Sequence, residues 1–172
     1  MNASPILTRV VSILSKHKLE VILIGNAAAA LHGAPVTTLD LDFMFRSTAV
    51  NLKKLKAVAN DLRATVFRPY YPVSQLYRLV NDDSGIQLDF MPLLHGIRSF
   101  ASLRSRSTQV KFSGHFLLVA ALEDIITSKS AAGRERDKAV LPVLKATLRE
   151  QKREQAKKRK APKNGARGGT KA

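Results

Sequence analysis

The sequence contains no cysteine, and this absence excludes several kinds of protein at once. A disulfide-stabilised scaffold, a zinc site built on thiolates and a cysteine nucleophile all require the missing residue. A cysteine-free chain fits a reducing compartment, and no apolar run in it approaches the length of a membrane span. No signal peptide is visible either, so the expected location is the cytoplasm, with no membrane partner.

Acidic residues are scarce, since 13 Asp and Glu against 29 Lys and Arg give a formal net charge of +16. The excess of positive charge is concentrated at one end of the chain, because residues 151–172 hold nine basic residues and one acidic residue. We therefore predict one domain over residues 1–150, followed by a basic, disordered tail over residues 151–172. The body suits an anionic substrate such as a nucleotide or RNA. The tail is either a nucleic-acid contact or a solvated solubility tail.

The apolar pattern of the body predicts alternating helices and strands, which indicates an α/β (α+β) fold with a mixed β-sheet flanked by helices. The predicted helices cover residues 5–16, 27–32, 49–62, 123–132 and 135–149, of which the last two form a C-terminal helix pair. The predicted strands cover residues 20–24, 39–45, 76–80, 86–91, 109–112 and 116–119, and residues 98–107 are predicted to form a loop.

Two aspartates lie inside the second predicted strand, in the sequence Asp40-Leu41-Asp42. Successive side chains of a strand point to opposite faces, so both carboxylates share one face, and their Cα atoms are roughly 6.5–7 Å apart. They repel each other unless a cation lies between them, and a pair of magnesium ions suits that position. Asp89 has matching parity in the strand 86–91, and it joins the pair if the two strands are neighbours.

Chance alone produces one Asp-x-Asp in about a third of chains that have eight Asp in 172 residues, so the spacing by itself is weak evidence. Its position inside an apolar strand favours function, because Asp is depleted in strands and costly to bury. Asp40, Asp42 and Asp89 are therefore the predicted catalytic and metal-binding residues, holding two Mg²⁺ or Mn²⁺ ions.

A glycine turn precedes this strand, where Gly25-Asn26 joins a predicted strand to a predicted helix. A glycine there lets backbone N–H groups approach a phosphate, and the helix N-terminus favours negative charge. Turns of this kind are common and usually structural. This turn lies close enough in sequence to Asp42 to face the same cleft, so Gly25 and Asn26 are candidate nucleotide-binding residues.

Gly25-Asn26, thirteen further residues and then Asp40-Leu41-Asp42 resemble the signature of the DNA polymerase beta-like nucleotidyltransferase superfamily. That signature is a glycine followed by glycine or serine, a short helix, and two aspartates one residue apart. Residues 23–42 resemble the bacterial branch, which contains minimal nucleotidyltransferases and the nucleotidyltransferase toxins of toxin–antitoxin systems. Residues 122–137 are similar to the family's later helix pair, in which a lysine and an Arg-x-Arg-Asp cluster support the nucleotide.

The resemblance implies an enzyme that transfers a nucleoside monophosphate from a nucleoside triphosphate to an acceptor hydroxyl and releases pyrophosphate. The implied acceptor is RNA, such as tRNA, or a protein, and a cognate toxin or antitoxin is an implied partner. Asp40 and Asp42 would hold one ion, while Asp89 would share the other and accept a proton. Lys129 is a candidate contact to the triphosphate, and a solvated helix lysine is the alternative.

Two positions depart from the family pattern. Asn26 stands where the family has glycine or serine; its amide can donate to a phosphate, but its bulk can also weaken nucleotide binding. Val36 stands where many relatives carry arginine, which removes one partner for a phosphate or a carboxylate. All three aspartates are present, which favours an active enzyme. The alternative is a catalytically inactive protein of the same fold that acts as a nucleic-acid-binding module.

Overall fold

A computed structural model describes residues 5–38, 40–68 and 75–160 of the chain. Within these ranges the helices are α1 (Pro5–Lys16), α2 (Gly25–Leu31), α3 (Ala49–Asp61), α4 (Phe100–Arg106), α5 (Leu122–Ala132) and α6 (Glu135–Lys160). The strands are β1 (Val21–Leu23), β2 (Leu41–Phe45), β3 (Thr65–Phe67), β4 (Tyr77–Asn81), β5 (Ile86–Met91), β6 (Thr108–Phe112) and β7 (His115–Val119). None of the described helices is both long enough and apolar enough to cross a membrane.

The strands form one sheet in the order β3-β4-β5-β2-β1-β7-β6. The pairs β2–β5 and β1–β7 are parallel, and the remaining neighbours are antiparallel. Helices flank this sheet, and α5 packs against α6 as the C-terminal pair. The predicted fold class, a mixed sheet flanked by helices, is therefore confirmed.

Apolar packing fixes the register of the two central strands. Phe43 of β2 and Phe90 of β5 are register partners, both are fully buried, and their rings stack with centroids 5.1 Å apart. A slip of one residue would turn both rings to the opposite face, at a cost of roughly 1.5–3 kcal/mol for each side chain that leaves the core. The same register makes Asp42 and Asp89 direct neighbours.

Two elements differ from the prediction. Residues 98–107 were predicted to form a loop, which is wrong, because they contain α4. This helix is too short to show a clear apolar period, and of its seven residues only Leu103 is buried. Its N-terminal signal is a cap, in which the Ser99 side chain accepts a hydrogen bond from the Ser102 backbone N–H. Strand β3 was not predicted, since it has only three residues, all exposed, at the sheet edge.

Helix α6 continues past residue 150 to Lys160, so its last ten residues lie in the segment predicted as a tail. Two contacts hold this extension: the Gln151 side chain donates to the His32 carbonyl at 2.7 Å, and Lys152 pairs with Glu123 at 3.2 Å. Leu39, at the start of a predicted strand, and residues 161–172 lie outside the described residues.

The buried side chain of Asn51 ties α3 to the ends of β1 and β2. Its amide donates to the carbonyls of Glu20 and Arg46, at 3.1 and 2.8 Å, and accepts from the Glu20 N–H at 3.0 Å. Replacing it with alanine removes the acceptor of the Glu20 N–H and one of two donors from each carbonyl, since the Glu20 carbonyl also accepts from the Arg46 N–H and the Arg46 carbonyl from the Thr48 N–H. We expect Asn51→Ala to lower the free energy of unfolding by about 2–4 kcal/mol in urea denaturation.

The matched control is Asn60→Ala, at an exposed position of the same helix. A loss within about 0.5 kcal/mol is expected there. Equal losses in the two variants would show that the Asn51 bonds add nothing to stability beyond the change in helix propensity.

Candidate active site

The structure pairs two of the three predicted carboxylates in the sheet and places the third just before it. Asp42 and Asp89 are register partners on the parallel strands β2 and β5, which places their backbones about 4.8 Å apart. Asp40 lies in the bend immediately before β2. Thr38 holds this bend, because its hydroxyl donates to the Asp40 carbonyl at 2.8 Å and accepts from the Asp40 N–H at 3.3 Å.

The electrostatics of Asp42 reflect this crowding. Burial raises the pKa of its carboxyl to about 6, and the negative charges of Asp89 and Asp40 add to the increase. The positive charges of Lys129 and Arg136 act in the opposite direction without cancelling it. Burial and the two neighbouring carboxylates together disfavour the charged form of Asp42, and a bound cation would favour it.

Gly25 makes room for Asp42. It begins α2 with φ +67°, in the left-handed region that favours glycine. A Cβ atom at this position would collide with Asp42 Oδ2 and would lie 3.1 Å from its Cγ. The glycine is therefore required by its conformation and also by the carboxylate beside it. The phosphate contact expected from the sequence stays a prediction.

Asn26 links the start of α2 to the loop that leads to Asp40. Its side-chain amide donates to the Thr37 carbonyl at 3.3 Å. Its Oδ1 atom is buried and has no hydrogen-bond partner among the described residues. One of the two N–H donors of this amide is thus bonded within the protein, and its contact with a phosphate stays a prediction.

Lys129 is held inside the site rather than exposed on a helix surface. Its ammonium group lies 3.0 Å from Asp137 Oδ1, and only 14% of its side chain and 9% of the Asp137 side chain are exposed. The charge of Lys129 also acts on Asp42. The alternative of a solvated lysine is therefore wrong, while a contact from Lys129 to a triphosphate stays a prediction.

Arg78 is a site residue that the sequence analysis missed. It lies opposite Asp89 in the β4–β5 hairpin, and its Nε and Nη2 atoms donate to the two carboxylate oxygens of Asp89, both at 2.7 Å. Asp89, Asp40 and Asp42 all raise the pKa of its guanidinium above the usual value, which places the cation within reach of the whole group. The hairpin itself was predicted, but its predicted five-residue turn would have paired Arg78 with Leu88, whereas the observed register pairs Asn81 with Ile86 and therefore Arg78 with Asp89.

The donor set suits a divalent cation, because carboxylate oxygens are the ligands that Mg²⁺ prefers and the charges of Asp89 and Asp40 add to the burial that raises the pKa of Asp42. Within the described ranges, no three acidic or histidine side chains converge closely enough to hold a metal ion. Both oxygens of Asp89 are bonded to Arg78. Asp40 and Asp42 are therefore the residues best placed to hold an ion, while Arg78 occupies Asp89.

Comparison with known proteins identifies the fold. No family model and no curated protein sequence matches the chain. Its structure is similar to that of a Thermotoga maritima protein assigned as a nucleotidyltransferase, with a TM-score of 0.58, 20% identity, and coverage of 87% of this chain and 91% of that one. It is also similar to the lincosamide antibiotic adenylyltransferase LnuA with lincomycin bound, with a TM-score of 0.61, 14% identity, and coverage of 86% and 99%.

A third similar structure is ANT(2″)-Ia in complex with adenylyl-2″-tobramycin, with a TM-score of 0.58, 15% identity, and coverage of 90% of this chain and 97% of that one. The matches extend over nearly the whole length of each structure. The chain therefore has the nucleotidyltransferase fold, in agreement with the predicted resemblance to the DNA polymerase beta-like superfamily.

Gly25→Ala tests whether the missing Cβ positions Asp42. Gly85→Ala is the matched control, because Gly85 has φ +63° but nothing within 4 Å of its added Cβ. Both variants should lose about 1–2 kcal/mol of stability, since alanine is strained in this conformation. Only Gly25→Ala should weaken magnesium-dependent nucleotide binding, by about tenfold or more, because it alone displaces the carboxylate. Equal nucleotide affinity in the two variants would show that Gly25 is needed only for the backbone conformation and not to position Asp42.

Asp42→Asn should stabilise the metal-free protein. A carboxyl whose pKa is raised from 3.8 to about 6 by folding contributes stability below pH 3.8, and this contribution is lost as the pH rises through about 6. With chelator present, the variant should be more stable than wild type by up to roughly 3 kcal/mol at pH 7.5 and by about 1 kcal/mol at pH 4.5. Urea denaturation at the two pH values measures this. A gain independent of pH would show that the charge of Asp42 is not the cause.

Proposed function

We propose that this chain is a metal-dependent nucleotidyltransferase, which transfers a nucleoside monophosphate from a nucleoside triphosphate to an acceptor hydroxyl and releases pyrophosphate. The observation that carries the proposal is the register pairing of Asp42 with Asp89, beside Asp40, within a nucleotidyltransferase fold. Carboxylates concentrated in this way on one side of a sheet are costly for the fold, and they are suited to bind magnesium and a triphosphate.

The chain's own side chains divide into ligands and positioning groups. Asp40 and Asp42 would hold a divalent ion, whose charge would offset that of the triphosphate and polarise the phosphorus under attack. Once Arg78 has left it, Asp89 would complete the ligands of a second ion, and it accepts the proton of the acceptor hydroxyl. The oxygen of that hydroxyl then forms a bond to the α-phosphorus, while the bond to the pyrophosphate oxygen breaks.

In this proposal the phosphate groups are bound by a lysine side chain and by backbone N–H groups. Lys129 lies beside the carboxylates with its ammonium oriented by Asp137, and it contacts the triphosphate as a point charge. Gly25 and Asn26, at the start of α2, contribute backbone N–H groups to the same cleft. Asn26 also keeps the loop before Asp40 in place through its bond to Thr37.

The charge of the chain favours a polyanionic acceptor, RNA such as tRNA, over a cationic small molecule. The tobramycin product in a similar structure belongs to the aminoglycosides, which are polyamines and would be repelled by a chain of net charge +16. Residues 149–160 of α6 carry seven Lys or Arg and two Glu. Lys158 and Arg159 are exposed there and form no ion pair with any described residue.

A role in a toxin–antitoxin system, with a protein partner or a protein acceptor, is part of the same proposal and rests on the sequence motif of residues 23–42. A cytoplasmic location follows from that role. The second candidate is a catalytically inactive nucleic-acid-binding module, and the basic end of α6 is the observation that favours it.

Nucleotide titration separates the two candidates. ATP, CTP, GTP and UTP are titrated against wild type, Asp42→Ala and the control Asp83→Ala, with magnesium and then with chelator. Asp83 lies exposed in the turn between β4 and β5. We expect at least one nucleotide to bind wild type and Asp83→Ala only with magnesium, and Asp42→Ala to lose about a hundredfold in affinity or more, because a metal ligand is removed.

A folded wild-type protein that binds no nucleotide would contradict the enzyme proposal. Asn26→Ser, which restores a residue typical of the family, then shows whether Asn26 is the cause. The binding module instead requires RNA affinity that needs no metal and falls steeply with salt. The matched variant replaces Lys157, Lys158 and Arg159 with glutamine, since truncation after residue 150 would also remove the contacts of Gln151 and Lys152.

A further inference from the structure

The ion pair between Arg78 and Asp89 occupies a position that the proposed function needs for a metal ion. Both carboxylate oxygens of Asp89 accept hydrogen bonds from the guanidinium at 2.7 Å. Asp89 is nearly buried, with 9% of its side chain exposed, while 37% of the Arg78 side chain is exposed. The carboxylate is therefore fixed by the sheet, and the guanidinium is the part that can move.

Arg78 is also the cation most directly engaged with the carboxylate group. Its partner is Asp89, and the charges of Asp40 and Asp42 act on it as well. A divalent ion bound by these residues would need the same oxygens and would be repelled by the guanidinium. A bidentate arginine–carboxylate pair is among the stronger charge-assisted contacts, so the competition is a substantial one.

We propose that Arg78 competes with a divalent cation for Asp89, so that the free protein offers only Asp40 and Asp42 as metal ligands and Asp89 becomes a ligand when Arg78 leaves. This inference rests on the proposed function for its biological meaning. A phosphate group is a suitable alternative partner for Arg78, because it can accept the same bidentate pair of hydrogen bonds as a carboxylate. The entry of a triphosphate would then release Asp89.

The chain contains a closely matched pair for comparison. Arg106 of α4 donates through Nε and Nη2 to Asp124 of α5, at 2.8–3.1 Å. Exposure is similar too, with 47% of the Arg106 side chain and 10% of the Asp124 side chain accessible. No effect of either residue on Asp42 is seen. A substitution at Arg106 therefore reproduces the loss of a bidentate pair without changing the charge beside the carboxylates.

The test measures Mn²⁺ binding without nucleotide, by the electron paramagnetic resonance signal of free Mn²⁺, for the full chain and its variants. Arg78→Gln should bind Mn²⁺ about tenfold or more tightly than wild type, because a positive charge is removed and Asp89 is freed. The gain should disappear in the double variant Arg78→Gln/Asp89→Asn. Arg106→Gln should bind as wild type does.

Unchanged affinity in Arg78→Gln, or a gain that survives in the double variant, would overturn the inference. If Arg78→Gln does not fold, the double variant Arg78→Gln/Asp89→Asn, which leaves the net charge unchanged, decides the matter. Its affinity should differ from that of wild type by less than about threefold, because Arg78 already withholds Asp89 in the wild-type chain. A tenfold loss there would show that Asp89 binds the ion with Arg78 in place.

Failure of this inference and failure of the proposed function give different results. Suppose that nucleotide binding depends on magnesium and on Asp42, but that Arg78→Gln has the Mn²⁺ affinity of wild type. The proposed role of Arg78 would then be contradicted, and the proposed enzymatic function would stand. If Arg78→Gln binds Mn²⁺ more tightly but the protein binds no nucleotide, the competition between Arg78 and the cation is supported and the proposed nucleotidyltransferase activity is contradicted.

Discussion

Repulsion among three neighbouring carboxylates is the constraint around which the rest of the site is arranged. Asp42 and Asp89 are brought together by the parallel pairing of β2 and β5, and Asp40 stands at the entrance to β2. A free chain would separate these charges, so the fold must hold them against their repulsion. The stacked rings of Phe43 and Phe90, on the opposite face of the same two strands, do this by burying apolar surface that only this register buries.

The cations around the site differ in how firmly they are held. Lys129 is largely buried and paired with Asp137, so its position is set by the packing of α5 on α6. Arg136, at the start of α6, is exposed and acts on Asp42 only at a distance. Arg78 is in direct contact with Asp89 through a side chain that is more than a third exposed. Substrate binding is thus expected to rearrange Arg78 before it rearranges Lys129.

The acidic half of the site could be predicted from sequence because strand parity is a local property. Asp42 and Asp89 each lie opposite the apolar face of their own strand, as the spacing predicts, whereas Asp40 lies in the bend before β2, where strand parity does not apply. The sequence does not show whether the two strands are neighbours, and the sheet order shows that β2 and β5 are adjacent. Their roles as metal ligands and in catalysis stay predictions, as does the role of Lys129.

The missed features depend on information that no short window of sequence holds. Arg78 was passed over because a single arginine in a strand is unremarkable until its cross-strand partner is known. Strand β3 has three exposed residues and exists only because β4 provides an edge for it. Helix α4 was predicted as a loop, since a seven-residue helix with one buried side chain has no measurable period. Gly25 was noted, but its contact with Asp42 requires the pairing of β1 with β2.

The position of Arg78 also bears on the departure at Val36. The bacterial branch that this sequence resembles often carries an arginine there, whereas Val36 packs against the apolar core. Arg78 does not stand in the same place, since it approaches Asp89 from the neighbouring strand β4. A guanidinium locked to Asp89 by strand register engages the carboxylate before any phosphate arrives. Strand β5 is therefore central to the site, because its parallel pairing with β2 places Asp89 beside Asp42 and its antiparallel pairing with β4 places a competing cation beside Asp89.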